Sequence, residues 1–374
     1  MPEVLEKNPL ASRAAEALEG LVFYFVGGIV RDALLGKPCL DVDIVLVPAT
    51  SDPLRELKSA IGKLAKTLSV KPTRSQFLTG KFVLDRGEID IALARKEEYP
   101  EPGSLPVVTP ATSLEEDLKR RDFTANAIAM TPSGGLIDPL GGAMDVGDRI
   151  LRVIHRGSFK DDPTRAIRAI RYKHQLEFSY SGDIEEEFAL ARRYLAGVSF
   201  ERIKHELMRS SGRPERAYVW LEIMERNLLG NRIPDRKALL ALSERATASP
   251  ESWVLFYGLV SESAPSGLTR IERKILDTIL RNTSKEFKSI GDAHEALRTA
   301  PDEALLALGV LNPLVEDYRQ KRHLAKPLTG PEEMKAMGFS GKNLGRAILA
   351  LEKSRLEGKI KTRADEREFL INLP

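Results

Sequence analysis

The residues best placed to do chemistry lie close together near the start of the chain. Gly27-Gly28-Ile29-Val30-Arg31-Asp32 is followed within a dozen residues by Asp41-Val42-Asp43. Side chains two apart on a strand share a face, so Asp41 and Asp43 project together. Paired carboxylates repel unless a cation sits between them. They suit Mg²⁺, a hard ion that takes carboxylate and phosphate oxygens. Glycines opening a helix let backbone N–H groups approach a phosphate, and Arg31 can add a charge-assisted contact to the same triphosphate. A two-metal site calls for a third carboxylate on a neighbouring strand. Asp90 is the candidate and Glu88 the fallback, since both share one face of their strand. Such a site holds an attacking hydroxyl and a leaving pyrophosphate on separate ions.

The elements that must position these groups are legible around them. Leu21–Val26 and Val42–Val47 have the branched and aromatic content of short buried strands. Ile29–Leu35 opens a helix, and Pro53–Leu68 is amphipathic. Gly80–Asp85 and Glu88–Ala94 pair about a turn at Arg86-Gly87. Pro100–Pro110, with four prolines, is expected to be a loop, and Leu114–Ala129 a helix. From about Pro163 the pattern is helical, with breaks near Gly182, Gly197, Gly212–Pro214, Gly230–Pro234 and Ser261–Gly267.

Composition narrows the classes. The 374 residues predict two or more domains. One cysteine, Cys39, excludes an internal disulfide and a multi-cysteine zinc site, and five scattered histidines argue against a transition-metal enzyme. Apolar runs are too short to span a bilayer. The N-terminus lacks a signal pattern, so a cytoplasmic protein is expected. A net charge of +3 says little about partners.

Five motifs then carry a family resemblance. Gly27–Asp32 with Asp41-Val42-Asp43 resembles the first motif of class II tRNA nucleotidyltransferases and bacterial poly(A) polymerases. Arg120-Arg121-Asp122-Phe123-Thr124-Ala125-Asn126-Ala127 resembles the second, and Asp138-Pro139-Leu140-Gly141-Gly142 the third. Asp161-Asp162-Pro163-Thr164-Arg165 resembles the fourth, with Asp161 where the family usually has Glu. Glu201–Glu206 resembles the fifth. The resemblance implies an α+β head of the polymerase-β type (1–150), then a helical neck (151–215), body (216–310) and tail (311–374), seahorse-like in outline. It implies nucleotide addition without a template to the 3′ end of tRNA, from CTP and ATP, with Mg²⁺. Asp41, Asp43 and Asp90 would be catalytic.

Physical roles follow for the later motifs. Arg121, Asp122 and Asn126, on about two helical turns, can hold the incoming ribose and phosphates. Arg120 can instead pair with Glu116 on the helix surface. Asp162-Pro163 suits a helix start. Asp162 and Arg165, three apart, can read the amine and neighbouring acceptor of cytosine or adenine. Arg165, Arg168 and Arg171 form a basic stripe, with Arg168 supporting the nucleotide. Glu201, Arg202 and Glu206 are expected to brace helices. In the tail, Lys342, Arg346, Lys359 and Lys361 can track phosphates of the tRNA acceptor and T arm.

The motifs do not separate full CCA addition from CC addition, A addition or poly(A) synthesis. The candidate specificity loop, Arg95–Pro110, is Pro-rich and poor in arginine, which departs from the CCA-adding pattern. The strand Ile89–Ala92 with its following Tyr-Pro loop resembles relatives with split CC and A activities. Rivals from other classes are a non-catalytic RNA-binding protein on this fold and a transferase acting on a small acceptor. A monomer or homodimer, with no membrane partner, is expected.

Overall fold

The computed structural model describes residues 8–74, 79–230 and 235–373. The chain divides into two compact units, Met1–Ser199 and Phe200–Pro374.

The first unit is built on a mixed sheet. Its strands are β1 (Phe23–Val26), β2 (Val42–Leu46), β3 (Thr73–Arg74), β4 (Thr79–Leu84) and β5 (Gly87–Leu93). A separate hairpin of β6 (Arg95–Glu98) and β7 (Val107–Pro110) follows, and β8 (Ala129–Met130) and β9 (Leu136–Ile137) complete the sheet. The order is β3-β4-β5-β2-β1-β8-β9. Only β2 and β5 run parallel among these pairs, with Asp43 opposite Asp90. In β5, Ile89, Ile91 and Leu93 are buried while Glu88 and Asp90 are not, the alternation of a strand covered on one face.

Helices α1 (Pro9–Ala17), α2 (Gly28–Leu34) and α3 (Pro53–Leu68) lie among these strands in sequence. Pro53 occupies the first turn of α3, Asp52 caps it by accepting from the Arg55 N–H, and Leu57, Ala60, Leu64 and Leu68 form its buried stripe. A core of Val26, Val45, Ala94, Ala111, Leu114, Leu118, Ala127 and Ala129 underlies the site.

Two expectations are corrected here. The helix expected over Leu114–Ala129 stops early. α4 covers Leu114–Lys119, Phe123 is extended, Thr124–Asn126 is a single 3₁₀ turn, and Ala129 has joined the sheet. Buried side chains on every face of this segment gave it helical texture, but Ala129 pairs with Val26 and Ile137, and those ladder bonds win. Arg121, Asp122 and Asn126 therefore sit on an irregular turn rather than on two helical turns. The expected loop Pro100–Pro110 also shrinks, because Val107–Pro110 pairs with Arg95–Glu98. An edge strand tolerates Pro110 because its missing N–H costs no ladder bond.

The unit continues through α5 (Gly142–Gly147), β10 (Ile150–Leu151), α6 (Ser158–Asp161), α7 (Arg165–Leu176), β11 (Ser179–Tyr180) and α8 (Ile184–Tyr194). α7 begins two residues after the expected Asp162-Pro163 start. Thr164, not Asp162, is therefore its N-cap; Asp162 instead closes a local turn, its Oδ1 accepting from the Thr164 N–H at 3.0 Å and hydroxyl at 2.7 Å.

The second unit is helical: α9 (Phe200–Ser211), α10 (Arg216–Glu225), α11 (Arg236–Arg245), α12 (Trp253–Val260), α13 (Arg270–Asn282), α14 (Ile290–Leu297), α15 (Asp302–Gly309), α16 (Pro313–Lys321), α17 (Pro331–Ala336), α18 (Gly341–Leu356) and α19 (Arg363–Ile371). The fully buried α12 lies at its centre, and Met334, Ala347, Leu351, Ile360 and Leu370 make a smaller core near the end. The breaks fall where glycine and proline marked them, except that 231–234 of the Gly230–Pro234 break lie outside the described residues. Among the described residues no helix is long and apolar enough to cross a membrane.

Candidate active site

Strand β2 carries Asp43 into a cavity of about 340 Å³ lined by Val26, Thr79, Asp90, Arg95, Arg120 and Arg121 among others. Burial pushes the Asp43 carboxyl up to about 6; Asp90, Asp41 and Glu88 add to this and Arg121 opposes it. Asp90 is raised too, first by burial, although Lys81 offsets part of the rise. Lys81 on β4 pairs with Glu88 at 2.5 Å and with Asp90 at 3.4 Å. Asp41 is exposed at the strand edge, and its Oδ1 accepts from the Glu88 N–H at 3.3 Å.

Gly27 explains how a guanidinium reaches this strand. A Cβ there would lie 3.0 Å from Arg121 Nη1 and 3.4 Å from Asp43 Oδ2, and its φ is +72°. The position needs glycine for both reasons. Gly28 is less constrained, since a Cβ there would make only ordinary contact with Arg31 Nη2 at 3.6 Å. We expect Gly27→Ala to cost about 2 kcal/mol in backbone strain and to raise the KM for nucleotide about tenfold by displacing Arg121. Thermal melts and a nucleotide titration check this; wild-type values in both would refute the close approach.

The other sequence candidates form one buried network. Arg31 donates through Nε to Asp32 Oδ1 at 2.8 Å and through Nη1 to Asn126 Oδ1 at 2.6 Å. The Asn126 amide donates to Asp122 Oδ1 at 3.0 Å, and Arg168 reaches Asp122 Oδ2 at 2.7 Å. Burial would raise the Asp122 carboxyl, but Arg168, Asn126, Arg165 and the Phe123 N–H outweigh it and hold it below the usual range. Arg31 and Arg171 also lie over the Tyr172 ring, at 5.3 and 4.4 Å. Arg31 is thus a buried tie between the first two motifs, with much of its donor capacity committed.

The third motif is scaffolding. Asp138 accepts from the Gly142 and Ala143 N–H groups at 2.8 Å each, starting α5. A Cβ on Gly142 would fall 2.1 Å from the Thr124 carbonyl oxygen, so this glycine lets α5 pack against the 3₁₀ turn that carries Asn126.

Arg165 is 4% exposed. Its Nη1 donates to Ser158 Oγ at 2.7 Å and its Nη2 to the Arg120 carbonyl at 2.9 Å. Ser158 braces it, whereas Asp161 turns to His155 at 2.9 Å. Tyr99, just past β6, lies 5.9 Å from the guanidinium through its ring, and its hydroxyl donates to Glu97 at 3.0 Å.

Sequence reasoning missed the groups behind Arg120 and Arg121. Asp117 is fully buried, and its Oδ1 accepts from Arg120 Nε at 2.9 Å while Oδ2 accepts from Arg121 Nη2 at 3.0 Å. Arg120 Nη1 also donates to Glu97 at 2.9 Å. The surface pair of Arg120 with Glu116 does not form: Glu116 takes Lys96 at 2.6 Å. The available signal was spacing, since Asp117 stands three and four residues before the two arginines.

Of the remaining candidates, Lys204 within the fifth motif pairs with Glu272 at 2.8 Å in the second unit. In the tail, Lys342, Arg346 and Lys361 are exposed, and Lys359 pairs with Glu357 at 2.6 Å.

Residues 23–152 match the poly(A) polymerase head domain. That match places this part of the chain in the poly(A) polymerase head-domain family, and the similarity to tRNA nucleotidyltransferases runs well beyond it. It is 32% identical to an A-adding tRNA nucleotidyltransferase of Aquifex aeolicus, over 88% of this chain and 44% of that one. It therefore spans less than half of that relative. It is 28% identical to an A-adding tRNA nucleotidyltransferase of Halalkalibacterium halodurans, over 92% of this chain and 87% of that one. The solved Thermotoga maritima CCA-adding enzyme complexed with tRNA has the same fold, with a TM-score of 0.73 and 21% identity over 99% of this chain and 97% of that one.

The carboxylates fit the Mg²⁺ expected in this family. Asp43 is held up first by burial and then by Asp90, Asp41 and Glu88, and magnesium takes one or two protein carboxylates, completing its shell with water and phosphate. Among the described residues no group of three or more His, Cys, Asp or Glu is gathered as a metal cage.

Proposed function

We propose that the chain transfers nucleotides from CTP and ATP to the 3′ end of tRNA without a nucleic-acid template. The observation that carries this is Asp43 facing Arg121 beside Gly27, in a cavity it shares with Asp90. Asp41 and Asp43 would hold Mg²⁺, which supplies charge neutralisation on the triphosphate and makes the attacking hydroxyl more acidic. Asp90 would complete the acidic wall and accept the hydroxyl proton once Lys81 gives way. Arg121 and the Arg31, Arg168 and Arg171 group receive phosphate charge, and Asp122 and Asn126 hold these side chains. Asp162 and Arg165 select the base. In this scheme residues 1–150 carry the chemistry, 151–215 read the base, and 216–310 with 311–374 hold the RNA.

A second reading, addition of the terminal A alone, is favoured by the names of the two bacterial relatives. The test is incorporation with purified protein and tRNA ending at the discriminator base or at CC, supplied with CTP, ATP or both. Three added nucleotides support CCA synthesis. Extension only of tRNA ending in CC supports A addition, and a long ladder with ATP means a poly(A) polymerase. No incorporation, with tRNA still bound, would leave a non-catalytic RNA-binding protein. Full activity on a small acceptor alone would point to the third class.

Tyr99 offers a specificity test. Tyr99→Phe keeps the ring beside Arg165, whereas Tyr99→Ala removes it. A cation–π contact of this kind is worth about 0.5–2 kcal/mol. Tyr99→Ala should therefore raise UTP and GTP misincorporation relative to ATP about tenfold, with Tyr99→Phe near wild type. Equal discrimination in all three proteins would remove Tyr99 from base selection.

A further inference from the structure

We infer that the exposed face of α13 is the main phosphate-tracking surface for the RNA substrate, rather than the tail lysines. This rests on the reading of the chain as one that acts on tRNA. Arg270, Arg273, Lys274, Arg281 and Lys285 line one groove of about 650 Å³, with Asp277 its only carboxylate. Arg273, Lys274 and Arg281 stand three, four and eleven residues after Arg270, which places these four along one side of the helix, and Lys285 follows just past its end. Ile275, Leu276 and Ile279 are buried on the other side, so α13 is anchored and its basic stripe is held in place. Thirteen residues make a stripe about 20 Å long.

The opposite wall is Ala296, Thr299 and Ala300 at and beyond the end of α14. Small side chains leave the groove open to a bulky backbone. Thr278, Asn282 and Thr299 add neutral polar groups.

Charge accounting decides between this face and the tail. Arg355 is paired with Glu366 at 2.8 Å, Arg363 and Arg367 with Glu333 at 2.5 Å each, and Lys353 with Glu295 at 2.9 Å. Lys359 is paired with Glu357. Five of the tail's cations are thus answered by carboxylates, while Lys342, Arg346 and Lys361 are exposed with no ion pair among the described residues. Along α13, Arg281 meets Asp277 only at 3.8 Å. Among the described residues no ion pair engages Arg270, Arg273, Lys274 or Lys285. A stripe of cations on one side of a helix, with Asp277 the one carboxylate in its groove, suits a polyanion whose charges repeat along a backbone. It supplies affinity without sequence preference.

The test is tRNA binding from 50 to 300 mM KCl. It compares wild type, Lys274→Gln/Arg281→Gln/Lys285→Gln, and a tail variant with Lys342, Arg346, Lys359 and Lys361 changed to Gln. The groove substitutions are all exposed, and melting curves verify the fold. The groove variant should bind at least about tenfold more weakly at 100 mM salt. Its slope of log K against log salt should fall by about two, as expected for two to three lost phosphate contacts. The tail variant should change less, and both should keep kcat at saturating tRNA. An active wild type with an unaltered groove variant overturns this inference alone. Polyglutamate competing as well as tRNA would overturn it in favour of an acidic protein partner. A wild type that neither binds tRNA nor incorporates nucleotide overturns the functional reading beneath it.

Discussion

Asp43→Asn should abolish nucleotide incorporation while leaving the first unit at least as stable as wild type. Incorporation should fall by at least about a thousandfold, or about 4 kcal/mol of lost transition-state stabilisation. Asparagine keeps the shape but not the charge that a divalent ion needs. The stability half follows from the raised carboxyl. Its folded value of about 6 lies above the ordinary value of 3.8, because burial and three neighbouring carboxylates disfavour the anion. A raised acid penalises the folded state once it ionises. The penalty is absent below about pH 4, grows between pH 4 and 6, and is complete above. In EDTA, Asp43→Asn should therefore melt at or above wild type at pH 7.5, and the difference should vanish by pH 4. Wild-type incorporation would sink the assignment. A lower melting temperature at pH 7.5 would make Asp43 a structural residue instead.

The second large effect is expected at Asp117. Its carboxylate has no exposed surface and serves two guanidiniums whose side chains are themselves 15% exposed. It also accepts from the Arg95 N–H at 3.2 Å. Burial works against this anion, but Arg121 and Arg120 outweigh burial and hold it below the usual range. Asp117→Asn removes the countercharge shared by the two guanidiniums, leaving Arg120 with Glu97 alone and Arg121 without its carboxylate, a change that costs about 3–5 kcal/mol in buried pairs. For a unit of this size the melting temperature should fall about 10 °C. A depressed acid contributes stability above its unfolded value and loses it as pH falls through the folded one. The gap between the two proteins should thus be full at neutral pH and close below about pH 4. Arg121 would also lose its hold beside Gly27, so incorporation should drop about a hundredfold or more. The paired readings discriminate. An unchanged melting curve would show that solvent compensates the arginines, and unchanged incorporation would separate Arg121 from the chemistry.

These two residues also show where reading the sequence succeeds and stops. Asp41 and Asp43 announce themselves because strand periodicity is local: i and i+2 share a face whatever the rest of the chain does. Gly27 is legible for a similar reason, as is the change from mixed to helical texture, which depends on hydrophobic period. The second motif and the basic stripe after the fourth suggested that Asp122, Asn126 and Arg168 serve one site, but not who touches whom. That the Asn126 amide bridges Arg31 to Asp122 spans 95 residues of chain, and no local rule sets it.

Asp90 illustrates the boundary well. Periodicity alone could not choose between it and Glu88. The parallel register of β2 and β5 puts Asp90 opposite Asp43, and the same sheet brings Lys81 from β4 against both acids. The segment after α4 failed for the converse reason: its helical pattern was real, but long-range pairing of Ala129 overrode it. Likewise the tail carries as many cations as the sequence suggested, yet ion pairing answers five of them, whereas along α13 only Arg281 meets a carboxylate among the described residues. Spacing along the chain decided which groups exist and which face they share. Packing decided which of them remain unsatisfied, because a buried charge's partner is chosen by proximity in space, and an unanswered charge is what a substrate can use.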